Sequence, residues 1–339
     1  MQTFGIDIGT STIKIAQVVK DGAKAKLVAA AVVPTPQPGM QTEAVNDLAK
    51  VSEAIKKLVS DARINVLQTV SSLPESGVHV EVVEMPPMSE SELSSAIVWE
   101  AEQVIPFQIS ESEVSWELTE NLDKTSKRMK VLLAASPKHV VEKYASVLSE
   151  AGLSPQALEP ESLALARSMG KFASGAGLIV GLGASQTTIS VVMGGSVIVS
   201  RSIPTGGAAI SRSLASYLSL DVSQAEEYKK AYGLLENQLE GKVRQALVPV
   251  VDVIVGEIRK VIEFFQSKND GQRISLVLLT GGGAGLPDLI PYLAQALGVE
   301  VVIGDPFSGI ERDEKTTRAL SGYGPLYGVA VGLALREVA

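Results

Sequence analysis

The sequence predicts an α/β chain of two duplicated lobes around a cleft, with an α+β module inserted in the first lobe. Three observations predict it. The first is a repeated device. Phe4 to Ile15 and Leu178 to Val191 each read as an apolar strand, a turn of Gly with Ser or Thr, and a second apolar strand. The second is the strand, glycine-rich turn and helix over Ile274 to Leu297. The third is a change of character near residue 77, which interrupts the α/β pattern. A turn such as Gly9-Thr10-Ser11-Thr12 offers N–H and hydroxyl groups with little steric cover, which suits phosphate oxygens. Two such turns would let the halves hold one nucleotide between them.

Composition bounds the reading. The 339 residues are too many for one ordinary core. With 45% hydrophobic and 20% charged residues the chain is globular. A net charge of −8, without a basic run, argues against a nucleic-acid partner. The absence of Cys excludes disulfides, thiol catalysis and Cys-type zinc sites. A strand starts almost at once, with no charged and then apolar leader, so no export is expected. No run of about 18 apolar residues predicts a membrane span. The last segment, Tyr327 to Ala339, reads as a short helix, with no basic amphipathic tail after it to act as an anchor.

The elements follow in order. Residues 1 to about 34 read as successive strands, closed by the loop of Pro34, Pro36 and Pro38. Ala44, Leu48, Val51, Ile55 and Leu58 recur at helical spacing. Ile64 to Ser71 is a further strand. In the inserted module, Val78, Val80 and Val82 alternate with His79 and Glu81, giving a half-buried strand. After Met85-Pro86-Pro87, Ser89 and Glu92 form a capping box. Its helix carries Leu93, Ile97, Ala101 and Val104, and ends before Pro106. Val114, Trp116 and Leu118 alternate in a strand. A polar tip over Asn121 to Arg128 leads to the strand Val131 to Ala135. Ser136-Pro137 then opens a helix with Val140, Tyr144 and Val147, closed by Gly152. Beyond the second hairpin, one helix starts at Ser223 and ends at Gly233. A longer one carries Leu247, Val251, Ile254, Ile258, Ile262 and Phe265. Ile274 to Leu279 reads as a buried strand. It runs into Thr280-Gly281-Gly282-Gly283 and a helix from about Pro287 to Leu297, an arrangement that presents helix N–H groups to an anion. The expected divisions are residues 1–76 with 156–176, the module 77–155, residues 177–220 with 272–339, and a helical subdomain 221–271.

The two hairpins, the glycine turn and Gly-Pro-Leu-Tyr-Gly-Val-Ala-Val-Gly near the end resemble the actin-like ATPase superfamily. Met85 to Ser89, with Glu100 to Phe107, narrows this: the chain resembles the type IV pilus assembly PilM family, relatives of the cell-division FtsA family. The resemblance covers essentially the whole chain. It implies an actin-like fold and an ATP-binding cytoplasmic scaffold of the pilus inner-membrane alignment complex. It further implies a grip on the cytoplasmic N-terminal tail of the membrane protein PilN, in a groove between first lobe and module. The membrane is reached at its inner face through that partner alone. Other alignment or motor components could join.

On this resemblance Asp7, Gly9, Thr10, Ser11, Thr12 and Lys14 match the first phosphate motif. Asp7 is the candidate catalytic residue and would meet Mg2+ through water. Lys14 either adds charge to the phosphates or faces solvent from an ordinary hairpin. Gly183, Ala184, Ser185 and Thr187 match the second motif. There the chain departs from the family, because Gly181 stands where the counterpart of Asp7 is expected. Losing that carboxylate spares binding and removes a water- or metal-orienting group. The expectation is ATP with Mg2+, and at most weak ATPase activity. Gly281, Gly282 and Gly283 match the adenosine motif, and Gly206 and Gly207 another nucleotide-facing turn. Glu226 and Lys229 match the ribose and base side, although Ser223 and Glu226 alone also make a capping box. His79 and His139 have no ligand pattern beside them. Trp99 and Trp116 read as structural or partner-contacting. Two alternatives use the same superfamily: a small-molecule kinase, which would need a second-lobe carboxylate as base, and an FtsA-like filament-forming protein.

Overall fold

The computed structural model describes residues 2–119, 128–172, 175–269 and 271–338. Strands β1 (Phe4–Ile8), β2 (Thr12–Asp21) and β3 (Lys24–Pro34) form an antiparallel meander. β1 is buried along its whole length, so it reads as a continuous apolar run broken only by Asp7. Helix α1 (Val45–Asp61) buries Val51, Ile55 and Leu58, one stripe at helical spacing, and leads to β4 (Gln68–Leu73). The module holds β5 (His79–Met85), α2 (Glu90–Val104), β6 (Ser112–Leu118) and β7 (Met129–Pro137). Helix α3 (Lys138–Glu150), β8 (Ser154–Pro160) and α4 (Glu161–Met169) follow. The second lobe contains β9 (Ala176–Leu182), β10 (Thr187–Met193), β11 (Ser196–Ile203), α5 (Gly207–Leu218), α6 (Val222–Tyr232), α7 (Lys242–Lys268), β12 (Ile274–Thr280), α8 (Leu289–Leu297) and β13 (Glu300–Ile303). The described chain closes with β14 (Ile310–Glu311), α9 (Glu314–Leu320) and α10 (Gly328–Ala334). No helix among the described residues is long and apolar enough to cross a membrane.

The duplication is written in the sheets. The first runs β14-β3-β2-β1-β4-β8 and the second β11-β10-β9-β12-β13. In each, an antiparallel meander is extended by two parallel strands in the same order. The module is a separate antiparallel sheet, β5-β7-β6. Against it α2 buries Leu93, Ile97 and Ala101, and its N-terminus carries the expected capping box of Ser89 and Glu92. The expected polar tip, from Asn121 to Lys127, lies outside the described residues.

Three boundaries differ from the expectation. Helix α3 carries Tyr144, Val147 and Leu148 into the core of the first lobe, with Phe4, Ile6 and Ile55. The chain after β13 returns to the first lobe: β14 pairs with β3, and α10 packs against β1, β2 and β4. Helix α6 is capped by Asp221 with Gln224, not by Ser223 with Glu226, so Glu226 is left free to turn inward.

Helices α4 and α10 cross between the sheets with almost nothing between their backbones. A methyl on Gly332 would lie 1.8 Å from the Ala164 carbonyl oxygen, and one on Gly5 2.1 Å from that of Ala330. An ion cluster on the buried Glu159 fixes the crossing. Glu159 accepts from Arg167 Nη1 at 2.5 Å and Nη2 at 3.0 Å, and from Arg336 Nη1 at 2.6 Å. Arg167 also donates to the Gly332 carbonyl at 2.8 Å. Such bidentate, charge-assisted bonds hold geometry as well as energy.

Overpacking at this crossing should be costly. Gly332→Ala is expected to lower unfolding stability by about 3 kcal/mol. Gly285→Ala, where an added Cβ meets nothing within 4 Å, should stay within ~0.5 kcal/mol. Urea titrations of the two variants check this, and equal losses would contradict it.

Candidate functional site

The two hairpin turns are built alike. Gly9 N–H donates to the Thr12 carbonyl at 3.1 Å, and Gly183 N–H to that of Gln186 at 2.9 Å. The residues between them form the tips. The tips meet across the lobes: Thr10 Oγ1 and Ser185 Oγ share a hydrogen bond of 2.8 Å. Thr35 Oγ1 and Gln37 Nε2 hold the first turn from behind, donating to the Gly9 and Thr10 carbonyls at 2.7 and 2.9 Å. Ser11 is exposed at the tip and Thr12 opens β2. Thr187 is fully buried, and its hydroxyl donates to the Thr205 carbonyl at 2.6 Å. It supports the second turn from inside the sheet and does not face the cleft.

The stems are unlike. Asp7 on β1 lies opposite Lys14 on β2, and Gly181 on β9 opposite Thr188 on β10. Lys14 Nζ is 2.6 Å from Asp7 Oδ2 and donates to the Thr12 carbonyl at 3.2 Å. Ser72 Oγ donates to the other Asp7 oxygen at 3.2 Å. Both Asp7 and Lys14 are buried, so Lys14 does not face solvent; its ammonium pairs with Asp7 and lies against the base of the first turn, where a Cβ on Gly9 would be 2.8 Å from Nζ.

A second carboxyl, which the sequence reading passed over, completes this centre. Glu161, in the first turn of α4, accepts from Thr188 Oγ1 at 3.3 Å and Gln186 Nε2 at 3.5 Å. Burial, then the like charges of Asp7 and Glu75, push its pKa up to about 8, while Lys14 opposes them. Glu161 and Asp7 also push the buried Tyr144 hydroxyl up, behind burial as the main cause. Pro160-Glu161 looks in sequence like an ordinary acidic helix start, and only the crossing of the lobes brings Thr188 to it.

The expected nucleoside side forms one continuous wall with the second hairpin. Gly207 and Ala208 N–H groups donate to the Gly183 and Ala184 carbonyls at 2.9 and 2.8 Å. A Cβ on Gly206 would lie 2.6 Å from the Gly183 oxygen. Lys229 Nζ donates to the Gly207 carbonyl at 3.2 Å, Ser211 Oγ at 3.0 Å and Glu226 Oε2 at 2.6 Å. Burial works against the Glu226 charge, but bonds from Lys229 and Ser211 win and hold its pKa below the usual range. On the other flank, Gly283 N–H donates to the Leu182 carbonyl at 3.0 Å and Gly281 N–H to that of Pro325 at 2.9 Å. Gly281 sits at φ +83°, and a Cβ there would lie 2.5 Å from the Leu182 oxygen. Gly282 faces Leu326 across an ordinary 3.7 Å gap. Glycine is demanded at 206 and 281 by backbone approach, and at 283 by the Leu182 Cβ, 2.9 Å from an added methyl. These contacts link the two turns, the Gly206-Gly207 and Gly281-Gly283 turns and Lys229 into one neighbourhood, with Thr187 inside the sheet.

The hydroxyl-bearing turns suit the phosphates of a nucleoside triphosphate; the Lys229 charge beside them is paired with Glu226. These residues do not form a metal centre by themselves. No group of three or more acidic or imidazole side chains among the described residues could hold a metal, and the Asp7 carboxylate is already engaged.

A second concavity, of about 330 Å³, lies between the first lobe and the module. Its walls include Leu73 and Val78, Val114 of β6, Val141 and Ala145 of α3, and Leu158 of β8. β6 and β8 are the edge strands of their sheets. The groove is mainly apolar, with Glu113, Ser115, Ser136 and Gln156 as its polar lining, and is flanked by sheet-edge strands, the setting in which an extended peptide binds.

Comparison with known proteins gives the family and the fold. The family described as type IV pilus assembly protein PilM matches residues 5–338. A solved PilM–PilN type IV pilus biogenesis complex is similar at 29% identity and TM-score 0.87, covering 100% of this chain and 99% of that one. The ethanolamine utilization protein EutJ from Carboxydothermus hydrogenoformans is similar at 19% identity and TM-score 0.57, over 98% of this chain and 89% of its own. MreB5 of Spiroplasma citri bound to ADP is similar at 13% identity and TM-score 0.56, over 99% and 96%. The last two bear on the fold alone, which is that of the actin-like ATPases.

Glu161 makes stability depend on pH. Its folded pKa of about 8 lies above the unfolded value of about 4.3. The folded chain then binds the extra proton, so the contribution is complete below the unfolded value and is lost as pH rises through the folded one. The stability difference between wild type and Glu161→Gln should shift against wild type between about pH 5 and pH 9. A difference that is flat with pH in urea titrations would contradict this.

Proposed function

The chain belongs to the type IV pilus assembly PilM family, and from that premise we propose that it is an ATP-binding scaffold of pilus assembly. In this reading it works in the cytoplasm at the inner face of the membrane, which it reaches by gripping the cytoplasmic N-terminal tail of PilN. The observation that carries the nucleotide half is the meeting of the Thr10 and Ser185 tips beside glycine turns. ATP would exchange the Thr10–Ser185 bond for bonds to phosphate, with the nucleoside between Glu226–Lys229 and Gly281–Gly283. Mg2+ would arrive with the phosphates, with Asp7 behind them to order its water.

The chemistry favours holding the nucleotide over consuming it. Gly181 and Thr188 stand where the first hairpin has Asp7 and Lys14, so the second lobe lacks the carboxylate that a kinase would use as base. Glu161 is the acid nearest the tips with a raised pKa, and could order a water for slow hydrolysis. The groove between β6 and β8 is the best place for the PilN tail: an extended segment would pair with a free edge and seat side chains against Val114, Val141 and Leu158. Nucleotide that prefers the closed lobes would shift the population towards a form with an ordered groove.

Two variants separate the sites. Thr10→Val with Ser185→Ala, which removes both tip hydroxyls, should weaken ATP binding about tenfold by calorimetry and leave binding of a PilN-tail peptide within about twofold. Ala145→Trp, which fills the groove, should abolish retention of that peptide and leave ATP affinity unchanged. ATP affinity untouched by the first variant, or full peptide retention by the second, would contradict the assignment.

A further inference from the structure

We propose that Glu75 couples the two sites, its carboxylate carrying closure of the lobes to the wall of the groove. The proposal rests on the reading that nucleotide occupies the cleft and a peptide the groove. Glu75 is 5% exposed and sits in the tight turn between β4 and β5. Gly77 N–H donates to the Pro74 carbonyl at 2.8 Å and Val78 N–H to that of Glu75 at 3.3 Å. On either side of it, Leu73 and Val78 line the groove. Ser136 Oγ donates to the Gly77 carbonyl at 2.9 Å, which ties the turn to the module.

The Glu75 side chain points the other way. One oxygen accepts the Ser162 N–H at 3.0 Å, within the first turn of α4 and next to Glu161. The other accepts from Ser200 Oγ, on β11 of the second lobe, and Ser200 is 3.2 Å from Ser190 Oγ. One rigid turn thus carries groove wall on its flanks and the bond to the opposite lobe at its centre. Val80, a few residues on, packs against the cluster that holds Val197 and Ile179 of the second lobe, so module and second lobe touch beside this turn. A buried carboxylate with two fixed donors has one good position. Rotation of the second lobe that withdraws Ser200 leaves that acceptor unpaired and releases the turn, and with it Leu73 and Val78.

Coupling is reciprocal by linkage, so each ligand reports on the other's site. In the full wild-type chain, a saturating synthetic PilN-tail peptide should change ATP affinity by about tenfold. In Ser200→Ala the factor should fall to about twofold or less, while each ligand alone binds within about threefold of wild type. Glu75→Gln should do the same where it folds. Hydrogen exchange gives an independent readout: ATP alone should protect residues 73–78 in wild type and not in Ser200→Ala. A coupling factor retained in Ser200→Ala would overturn the proposal, as would no coupling in wild type with both ligands bound. If the peptide does not bind, the groove reading fails. Glu75 then stands on the ATP-induced protection of residues 73–78, and falls if wild type shows none. If ATP does not bind, the cleft reading fails. Glu75 then stands on peptide-induced protection of β11 that Ser200→Ala loses, and falls without it. Binding of neither ligand overturns all three.

Discussion

The crossing of α4 and α10 is the contact on which the rest of the molecule depends. Two helices about 160 residues apart in the chain lie between two sheets, separated by the width of a glycine. Gly5, Gly328 and Gly332 leave no room for side chains there, and Glu159 with Arg167 and Arg336 fixes the register. Everything functional hangs from this joint. α4 presents Glu161 at its first turn, β8 runs straight into α4, and α10 lies under β1, which carries Asp7. A core without voids transmits displacement instead of absorbing it, so the distance between the hairpin tips is set by how these helices meet.

Around that joint the duplication is nearly complete in backbone and incomplete in chemistry. The sheets share their strand order, and the turns share their Gly N–H to carbonyl bond. The stems do not match: an ion pair, Asp7 with Lys14, faces a neutral pair, Gly181 with Thr188. Burial raises the pKa of both Glu161 and Glu75; at Glu161 the like charges of Asp7 and Glu75 add to it against Lys14, and at Glu75 the bonds from Ser200 and Ser162 oppose it. A centre with this charge balance gains from a ligand that brings its own cation. The inserted module then gives one lobe a task the other lacks, since the groove exists only where β6 faces β8.

Much of this was legible in the sequence, because it depends on local pattern. The hairpins, the glycine turn, the capping box at Ser89 and Glu92, and the missing carboxylate at Gly181 can all be read from residues a few positions apart. What was not legible depends on distant parts of the chain meeting. Glu161 and Glu75 follow prolines and look like ordinary turn or helix-start acids; their partners Thr188 and Ser200 come 27 and 125 residues later. The return of α10 to the first lobe was hidden because a short apolar helix of small residues suits either sheet. Thr187 matched its motif by type, yet the alternation of a strand buries it. Ser223 and Glu226 had the spacing of a capping box, but Asp221 two residues earlier made a better cap and freed Glu226 for Lys229.

The central claim is that the paired turns form a nucleotide seat that holds more than it cleaves. A crystal structure of the full chain with a non-hydrolysable ATP analogue tests it most directly. The account predicts phosphates between the Thr10 and Ser185 tips, their mutual hydrogen bond replaced by bonds to the ligand, and the base between Lys229 and the turn at Gly281. Crystals grown at saturating analogue that keep the Thr10–Ser185 bond, or place the ligand elsewhere, would contradict it.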